Sequence, residues 1–432
     1  MRNPMTPFLN EFSISVATVN GSGSQSANLI LLRSLFNMGL PVGGKNLFPS
    51  NIAGLPTWFN LRVSERGFVG ASDHHQIAVL MNGQTWEEDV ASLPSDGLAL
   101  FNSDLGIPFD GDLISVGIPC TTLARAINPK LARLLTNTVY VGALAQLLGI
   151  EQDALQGALN HQFSGKEKVI DINLQAVESG RQYIQSLGLD SPFRVERRDL
   201  VGEKILTDGN TAAALGSIWG GVSLLAWYPI TPSSSIPEQI KHYLPLLRRK
   251  EGKATYAVVQ AEDELAAIGI ILGGGWAGVR SLTATSGPGI SLMAEFAGYG
   301  YYAEIPTVIW DVQRAGPSTG LPTRTQQGDL TFVHHLGHGD TCHPILLPGT
   351  VEECFEFGWK AFDFAERFQT PLFVLSDLDL GMNPWMTEPF PYPDLPMDRG
   401  KVLSEDDLDA IEDWGRYKDV DGDGIPYRTL PG

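Results

Sequence analysis

Trp227-Tyr-Pro-Ile-Thr-Pro-Ser-Ser-Ser235 joins the apolar run Val222–Trp227 to a helical pattern that begins near Ile236. The two prolines restrict φ and remove two backbone donors, so they predict a stiff turn that presents the hydroxyl of Thr231. The serines that follow are favourable N-cap residues for the helix. A strand, a rigid polar turn and a helix N-terminus together can receive an anion, although ordinary connecting turns use the same residue types.

The composition is that of a globular protein with two or three domains. The 432 residues are 43% hydrophobic and 18% charged, and the net charge of -19 argues against binding to nucleic acid or to an anionic membrane surface. The three cysteines lie far apart, without C-x-x-C spacing, and indicate neither a disulfide framework nor a zinc site. We find no apolar run of ~18 residues and no secretory signal, so we expect a cytoplasmic protein without membrane spans.

The N-terminal region, residues 12–180, opens with a strand, a glycine turn and a helix. Phe12-Ser-Ile-Ser-Val-Ala-Thr-Val19 alternates as strands do, Asn20–Ser26 is rich in glycine and serine, and Ala27–Met38 has helical spacing. This order suits a phosphate cradle, but a plain βα turn is the alternative because only two glycines are present. The polar residues 181–205 predict a linker.

The second region alternates buried-looking strands with helical patterns, which favours a parallel sheet with crossover helices. The predicted strands are Ala257–Val259, Val279–Ala284, Thr307–Val312 and Leu372–Leu375. Open α/β sheets bind ligands beyond the carboxyl ends of their strands, so we expect functional side chains there. The tail from Pro384 onward is rich in Pro, Asp and Gly and predicts a connector.

Three of these strand ends carry chemically useful groups. Gln260-Ala-Glu-Asp-Glu264 opens a helix, where acidic residues are ordinary; yet Glu262, nearest the strand end, could exchange a proton with an aromatic cofactor. Gly287 and Gly289 allow a ligand to approach the backbone closely. Arg314 is suited to grip a carboxylate, with a surface ion pair as the alternative. Together with the hydroxyl before Pro232, these groups suggest a binding crevice.

In these motifs the chain resembles the α subunit of the 2-oxoacid:ferredoxin oxidoreductases, in the arrangement where a γ-type domain is fused ahead of the α-type domain. The most specific segments are Tyr228–Ser233, Thr285–Met293 and Gly316–Thr323. In the N-terminal half, Phe48–Trp58 and His161–Lys166 resemble the two-subunit enzymes that often act on 2-oxoglutarate.

The resemblance implies an α/β fold with a γ-type domain over residues 1–180 and a linker over 181–205. A pyrimidine-type thiamine diphosphate domain with a parallel sheet would follow over 206–385, then a connector toward a further domain over 386–432. The implied reaction is the thiamine-diphosphate-dependent oxidative decarboxylation of a 2-oxoacid to an acyl-CoA, with coenzyme A as co-substrate and ferredoxin as electron acceptor. The reverse reaction, reductive carboxylation, is also implied.

Carried over by position, Thr231 and Arg314 would contact the carboxylate and keto group of the substrate. Glu262 would hydrogen-bond N1′ of the aminopyrimidine and favour its imino tautomer, whose nitrogen can take the C2 proton of the thiazolium. Thr323 is a further expected substrate contact. The remaining expected cofactor contacts are Pro229, Ile230, Ser286 and Gly287.

The resemblance also implies a partner subunit. Thiamine diphosphate enzymes anchor the diphosphate through Mg²⁺ with a Gly-Asp-Gly motif and paired asparagines, which follow some ~25–30 residues later. Gly422-Asp-Gly424 has no such asparagines after it, and three thiols are too few for a [4Fe-4S] cluster. We therefore predict a β subunit that carries Mg²⁺ and the cluster, a dimer of αβ pairs, and a thiamine diphosphate shared between the two chains. The loop Gly21–Gln25 lacks the family's glycine pair, so its role toward coenzyme A stays open.

Two segments mimic metal sites. In His334-His335-Leu-Gly-His338 the outer histidines have the spacing of helical zinc ligands, with Cys342 nearby, but Gly337 and Gly339 break a helix. We predict no metal there and favour a loop at the active-site mouth, with ordinary packing as the alternative. Asp419–Gly424 resembles the start of an EF-hand, but Leu430 stands where the bidentate glutamate belongs, so we predict a solvated acidic turn.

Two other functions remain open at this point. The chain could be a non-catalytic nucleotide-binding or assembly subunit that uses the Gly21–Ser26 loop, or part of a thiamine-dependent decarboxylase that does not use ferredoxin. The choice between pyruvate and 2-oxoglutarate also remains open.

Overall fold

The computed structural model describes residues 8–49, 54–109 and 113–431. The chain forms two compact units, residues 1–206 with 384–386 and residues 207–383 with 387–432. Positions 50–53 are not among the described residues, so the Phe48–Trp58 motif lies partly outside them.

The first unit contains the first eight strands and the first six helices. In chain order these are β1 (Phe8–Leu9), β2 (Glu11–Val19), α1 (Ser24–Asn37), β3 (Val42–Leu47), β4 (Pro56–Ser64), β5 (Ile77–Leu80), α2 (Trp86–Ala91), β6 (Leu98–Asn102), a 3₁₀ turn (Ser103–Leu105), β7 (Ile114–Ile118), α3 (Cys120–Ile127), α4 (Ala132–Leu148), α5 (Gln152–Gln162), α6 (Glu167–Leu187) and β8 (Phe193–Arg194).

A mixed six-stranded sheet with the order β3-β4-β2-β5-β6-β7 forms the centre of this unit. The strands β2, β5, β6 and β7 run parallel, whereas β3 and β4 are antiparallel. The predicted order of strand, glycine turn and helix at the N-terminus is confirmed. The helix begins at Ser24, three residues earlier than its apolar spacing suggests, because Gly21 and Gly23 complete the turn at φ 78° and 83°.

The predicted linker begins too early. Helix α6 continues to Leu187, so seven residues assigned to the linker are helical. Its buried face runs through Ile170, Val177 and Ile184, a seven-residue spacing that continues past position 180 despite the polar residues between. Residues after the helix also belong to the first unit: Arg197 Nη1, for example, donates to the carbonyl of Asn37 at 2.9 Å.

The chain continues through β9 (Ile205–Thr207) into the second unit, and β18 (Trp385–Thr387) precedes the tail. The other elements are α7 (Gly209–Trp219), β10 (Leu224–Trp227), α8 (Ser235–Leu247), β11 (Arg249–Lys250), β12 (Lys253–Ala254), β13 (Ala257–Gln260), α9 (Glu264–Trp276), β14 (Ser281–Thr285), α10 (Gly287–Tyr302), β15 (Thr307–Gln313), α11 (Leu330–His334), β16 (Ile345–Leu346), α12 (Val351–Phe368), β17 (Pro371–Asp377), α13 (Leu378–Met382) and α14 (Glu405–Ala410).

The second unit is built on the predicted parallel sheet, with the strand order β13-β10-β14-β15-β17-β16. All seven residues of β15 are buried, as expected for a strand covered on both faces by helices. The chain passes from β10 outward to β13 and then returns to β14 on the other side of β10. The sheet therefore has a topological switch point between β10 and β14, where ligands bind in open α/β folds.

The tail from residue 387 packs against the second unit instead of forming an extended connector. Arg428 is buried and contacts Glu366, and Arg416 donates to the carboxylate of Glu304 at 2.9 Å. These ion pairs hold the tail against α12 and the end of α10.

The acidic turn in the tail is neutralised by a lysine. The carboxylates of Asp421 and Asp423 are exposed, and each lies 2.7 Å from Nζ of Lys401. Leu430 packs beside Gly278, where an added Cβ would lie 2.7 Å from its methyl carbons. The ammonium group thus provides the positive charge among these carboxylates.

Within the described ranges no single helix is both long and apolar enough to cross a bilayer. Helices α3 and α4 meet the length and composition only as a pair, and they are bent by 117°.

Candidate active site

Four neighbouring strands of the second unit place their carboxyl ends along one edge of the sheet. Thr231 follows β10, Glu262 follows β13, Ser286 follows β14 and Arg314 follows β15. Since these strands are parallel and adjacent, their following residues share the edge that contains the switch point. The expected positions are therefore brought to one side of the sheet.

The turn after β10 is held by its own serines. Ser233 Oγ donates to the carbonyl of Ile230 at 3.0 Å, and the N–H of Ile230 donates to Ser234 Oγ at 3.0 Å. The expectation that these serines cap α8 is wrong: Ser234 is the N-cap residue, but its side chain makes no capping hydrogen bond. Their hydroxyls instead close the turn that presents Thr231, while Pro229 is exposed.

Arg314 joins this turn to the end of β15. Its Nη1 donates to the carbonyl of Thr231 at 2.8 Å, and its Nη2 donates to the carbonyl of Thr319 at 2.9 Å. Only 7% of Arg314 is exposed, and its buried Nε–H meets no acceptor in the described part of the chain. Burial lowers the pKa of Arg314, while the carboxylates of Asp329 and Glu264 act in the opposite direction. The guanidinium is therefore fixed by two carbonyls and keeps free donors for a ligand.

Glu262 and Glu264 lie in different environments. Glu262 is exposed, whereas Glu264 is 6% exposed at the first position of α9. Burial raises the pKa of Glu264, and the Arg314 guanidinium partly opposes that effect. A Cβ added at Gly289 would lie 3.1 Å from Glu264 Oε1. The buried carboxyl group facing the crevice is thus Glu264.

The sequence contained a signal for this buried carboxyl group. Glu264 precedes Ile268, Ile271 and Leu272 by four, seven and eight residues, which places it on the apolar face of the helix. Asp263 takes the N-cap position and accepts from the N–H of Ala266 at 2.7 Å. Proximity to the strand end alone favoured Glu262 as the carboxyl group that meets the cofactor, whereas the helical spacing of the apolar residues favours Glu264.

The N-terminus of α10 lines the same edge. Ser286 is its N-cap residue and is fully buried, but its hydroxyl makes no capping bond and has no partner among the described residues. Gly287 and Gly289 leave no room for side chains: added Cβ atoms would lie 2.9 Å from Asp329 Oδ2 and 1.9 Å from Thr285 Oγ1, respectively. A helix of 16 residues thus begins at the crevice with a free buried hydroxyl and close-packed glycines.

A pair of carboxyl groups lies beneath these residues. Asp311 in β15 is fully buried and lies within hydrogen-bonding reach of Asp329, the N-cap residue of α11. No N–H or O–H donor of the described chain reaches either oxygen of Asp311. Burial raises the pKa of Asp311 well above its ordinary value, and Asp329 raises it further. A shared proton between the two carboxyl groups satisfies both observations.

Gln313 holds the backbone of Asp329. Its Oε1 accepts from the N–H of Asp329 at 3.0 Å, and its Nε2 donates to the carbonyl of Ser376 at 3.1 Å. Sequence reasoning missed the pair and its support, although a charged residue within an apolar strand is itself a signal that a buried partner exists. Its partner could not be read locally because Asp329 follows a loop of irregular structure.

Thr323 is buried in the loop that follows Arg314. Its carbonyl accepts from Arg324 Nη1 at 2.9 Å. The loop is closed by a bridge between Ala315 and Leu321, which returns the chain toward β15. Thr323 thus lies near the carboxyl end of β15, a position that is compatible with the expected contact with the substrate.

The glycine loop of the first unit, Gly21–Ser26, is held to its neighbours through its carbonyl groups. The carbonyls of Gly21 and Ser22 accept from Arg133 at 3.1 Å and Asn137 at 2.8 Å. A cavity of about 470 Å³ lies between α1, α4 and α6, with Lys168 as the charged member of a mainly apolar lining. This loop therefore packs by its carbonyl groups against α4.

Known proteins match both halves of the chain. The family described as "Pyruvate ferredoxin/flavodoxin oxidoreductase" matches residues 13–183, and the one described as "Pyruvate flavodoxin/ferredoxin oxidoreductase, thiamine diP-bdg" matches residues 216–392. The α subunit of 2-oxoacid:ferredoxin oxidoreductase 2 of Aeropyrum pernix is 32% identical, over 98% of this chain and 73% of its own length. The 2-oxoglutarate synthase subunit KorA of Methanothermobacter marburgensis is 45% identical, over 41% of this chain and 46% of its own length.

A solved structure agrees over nearly the whole chain. It is a 2-oxoglutarate:ferredoxin oxidoreductase from Magnetococcus marinus with 2-oxoglutarate, coenzyme A and succinyl-CoA bound. The identity is 31% and the TM-score 0.83, over 98% of this chain and 72% of that one. The chain belongs to the family of 2-oxoacid:ferredoxin oxidoreductase α subunits.

Proposed function

We propose that this chain is the α-type subunit of an enzyme that oxidatively decarboxylates 2-oxoglutarate. One 2-oxoglutarate and one coenzyme A would give succinyl-CoA, CO₂ and one proton, and two electrons would pass to ferredoxin. The observation that carries the proposal is the placement of the buried Glu264 and Arg314 beside the half-buried Thr231 turn, at the switch point of a chain from this family. The choice of 2-oxoglutarate is supported by the names of the KorA relatives and by the molecules bound in the Magnetococcus marinus enzyme.

The residues at the crevice fit a flat, nitrogen-containing cofactor such as thiamine diphosphate. Ser286 offers a buried hydroxyl that has no partner in the described chain, and the close packing at Gly289 brings Thr285 and Glu264 against the first turn of α10. Burial raises the pKa of Glu264, so its carboxyl group binds a proton more readily than an exposed one. When bound, thiamine diphosphate supplies the nucleophilic carbon for decarboxylation of a 2-oxoacid.

We assign the contact with N1′ of the aminopyrimidine to Glu264. A buried carboxyl group can share its proton with a ring nitrogen, and a neighbouring cation keeps it able to ionise. Glu262, the position predicted from the sequence, is exposed, where water would compete for the same hydrogen bond. Matched glutamine substitutions at the two positions should therefore have different effects on activity.

Thr231 and Arg314 would bind the substrate. Two N–H groups of Arg314 are used by backbone carbonyls, and the remaining donors can receive the carboxylate or keto oxygen of a 2-oxoacid. The hydroxyl of Thr231 sits on a turn that the guanidinium itself holds in place. Thr323 follows in the same loop and is a further candidate for contact with the substrate side chain.

A partner subunit would supply what this chain lacks. The three cysteines of the given sequence are fewer than the four thiolates that a [4Fe-4S] cluster usually requires. We assign the cluster, the Mg²⁺ that anchors the diphosphate, and the delivery of electrons to ferredoxin to a β subunit. The naming of the relatives as α subunits implies that they assemble with at least one other subunit.

The test is steady-state kinetics of the complex reconstituted with the β subunit. We expect coenzyme A-dependent reduction of ferredoxin with 2-oxoglutarate, and a lower kcat/KM with pyruvate. Equal or greater kcat/KM with pyruvate would overturn the substrate assignment. Reduction of NAD in place of ferredoxin, or decarboxylation without an electron acceptor, would favour the ferredoxin-independent enzyme.

The substitution of Arg314 distinguishes a catalytic subunit from a non-catalytic assembly subunit. We expect Arg314→Ala to abolish ferredoxin reduction while the complex still assembles, with the exposed Arg249→Ala as the matched control. Full activity of Arg314→Ala in the assembled complex would favour the non-catalytic assembly role.

A further inference from the structure

The end of α11 carries a cluster of metal-binding side chains that differs from the pair suggested by sequence spacing. One ring nitrogen from each of His334 and His335 and the sulfur of Cys342 lie within 4.8 Å of one another. Gly337 and Gly339, at φ 125° and 96°, turn the chain so that residue 342 returns to the end of the helix. The ligand atoms are therefore gathered by a loop that reverses direction.

Both imidazole rings are already oriented by backbone carbonyls. Nδ1 of His334 lies 3.1 Å from the carbonyl oxygen of His343, and Nδ1 of His335 lies 3.3 Å from that of Thr341. A carbonyl oxygen only accepts, so each Nδ1 carries the proton and each Nε2 keeps its lone pair. Histidine ligands to metals commonly have this second interaction, in which the other ring nitrogen donates to a carbonyl.

The same backbone segment orients both rings and supplies the thiol. Thr341 and His343, whose carbonyls hold the two imidazoles, are the immediate neighbours of Cys342. His343 is fully buried, and its Nε2 lies 2.9 Å from the carbonyl of Leu336, which anchors the returning segment to the loop. His335 and Cys342 are exposed, so an ion from solvent can reach them.

We propose that His334, His335 and Cys342 form a binding site for a zinc-type divalent cation. Two imidazole nitrogens and one thiolate are a preferred donor set for Zn²⁺, and a water molecule or a further side chain would complete the tetrahedron. The ion would fasten the loop of residues 335–342 to the C-terminal end of α11. Because Asp329 begins that five-residue helix and pairs with Asp311, the same ion would restrain the helix that supports the carboxyl pair of the crevice.

The test is titration of the purified full chain with Zn²⁺ and with Co²⁺. We expect one Zn²⁺ per chain, and a thiolate-to-cobalt charge-transfer absorption with Co²⁺. Cys342→Ser and His335→Asn should each weaken the affinity by more than about 100-fold, since loss of a ligand exceeds the effect of losing an outer-shell partner. His338→Asn is the matched control from the same loop and should leave the affinity unchanged.

Binding that survives both ligand substitutions would overturn the proposal. So would the absence of stoichiometric Zn²⁺ binding. The absorption spectrum of the unsubstituted chain gives a test that does not depend on how the variants fold, because a bound Co²⁺ without the thiolate band would also contradict the assigned ligands.

Discussion

Replacing Glu264 by glutamine tests the assignment of the carboxyl group that meets the cofactor. Glutamine has nearly the same size, so the contact beside Gly289 is kept, and the bonds from Arg314 to the turn are unaffected. What is lost is the ability to give and take a proton, which contributes about 10²–10⁴-fold to catalysis. We therefore expect kcat to fall by about that factor, or about 2.7–5.4 kcal/mol in activation free energy, with little change in KM.

The effect of pH on the stability of the same variant can also be predicted. Burial raises the pKa of Glu264, so the folded state binds more protons than the unfolded state between the ordinary and the raised pKa. Stability therefore falls as pH rises through that interval, and the uncharged amide removes this loss. We expect the Tm of Glu264→Gln to equal or exceed that of the unsubstituted protein above neutral pH.

The assay is the 2-oxoglutarate-dependent reduction of ferredoxin by the reconstituted complex, with Tm recorded on the same samples. Glu262→Gln is the matched control, and we expect it to keep nearly full kcat because that side chain is exposed. An unchanged kcat for Glu264→Gln together with a large loss for Glu262→Gln would refute the reasoning and restore the assignment based on sequence position.

Three further predictions concern the second unit. Gly289→Ala should destabilise the fold by about 1–3 kcal/mol, because its Cβ would lie 1.9 Å from Thr285 Oγ1. Gly298→Ala in the same helix, with its nearest atom at 3.9 Å, should instead stabilise it by about 1 kcal/mol; urea unfolding measures both. Burial raises the pKa of Asp311, so stability falls as pH rises toward that value, and Asp311→Asn should flatten the decline when urea midpoints are compared from neutral to alkaline pH. Arg280→Ala should cost about 1.5–3 kcal/mol in urea unfolding because it removes charged hydrogen bonds to Asp363 and to the buried Glu366, which keeps Arg399 and Arg428; a loss below about 1 kcal/mol would contradict that account.

The parallel sheet was predictable because its strands are short apolar runs separated by helical patterns. The predicted Thr307–Val312 and Ala257–Val259 each differ from the observed strand by a single residue at one end. The edge strand Ile345–Leu346 was not predicted, since two residues are too few to show a period. The strand order, and with it the switch point, depends on contacts between distant segments.

The site was predictable as a set of strand ends but not in its details. The sequence placed Thr231 and Arg314 at the carboxyl ends of two strands, and the structure joins them by a hydrogen bond from Arg314 to the carbonyl of Thr231. It could not show that Ser234 would close the turn instead of capping the helix, because both roles use the same hydroxyl. Similarly, the Asp311–Asp329 pair depends on the path of a long loop.

The start of the linker and the histidine cluster were also not predicted correctly from the sequence. Arg181 to Leu187 looked like a linker because exposed positions of a helix are polar, although every seventh residue stayed apolar. Fixed spacing paired His334 with His338, whereas two glycines in the left-handed region bring Cys342 back to the helix end. Loop conformation of this kind is not encoded in a regular period.

The central claim is that this chain holds one part of thiamine diphosphate and a β subunit holds the other. Isothermal titration of thiamine diphosphate with Mg²⁺ into this chain, into the β subunit and into the reconstituted complex tests it most directly. We predict tight binding by the complex and at least about 100-fold weaker binding by either chain alone, a difference of about 3 kcal/mol. Binding to this chain alone with the affinity of the complex would contradict the claim.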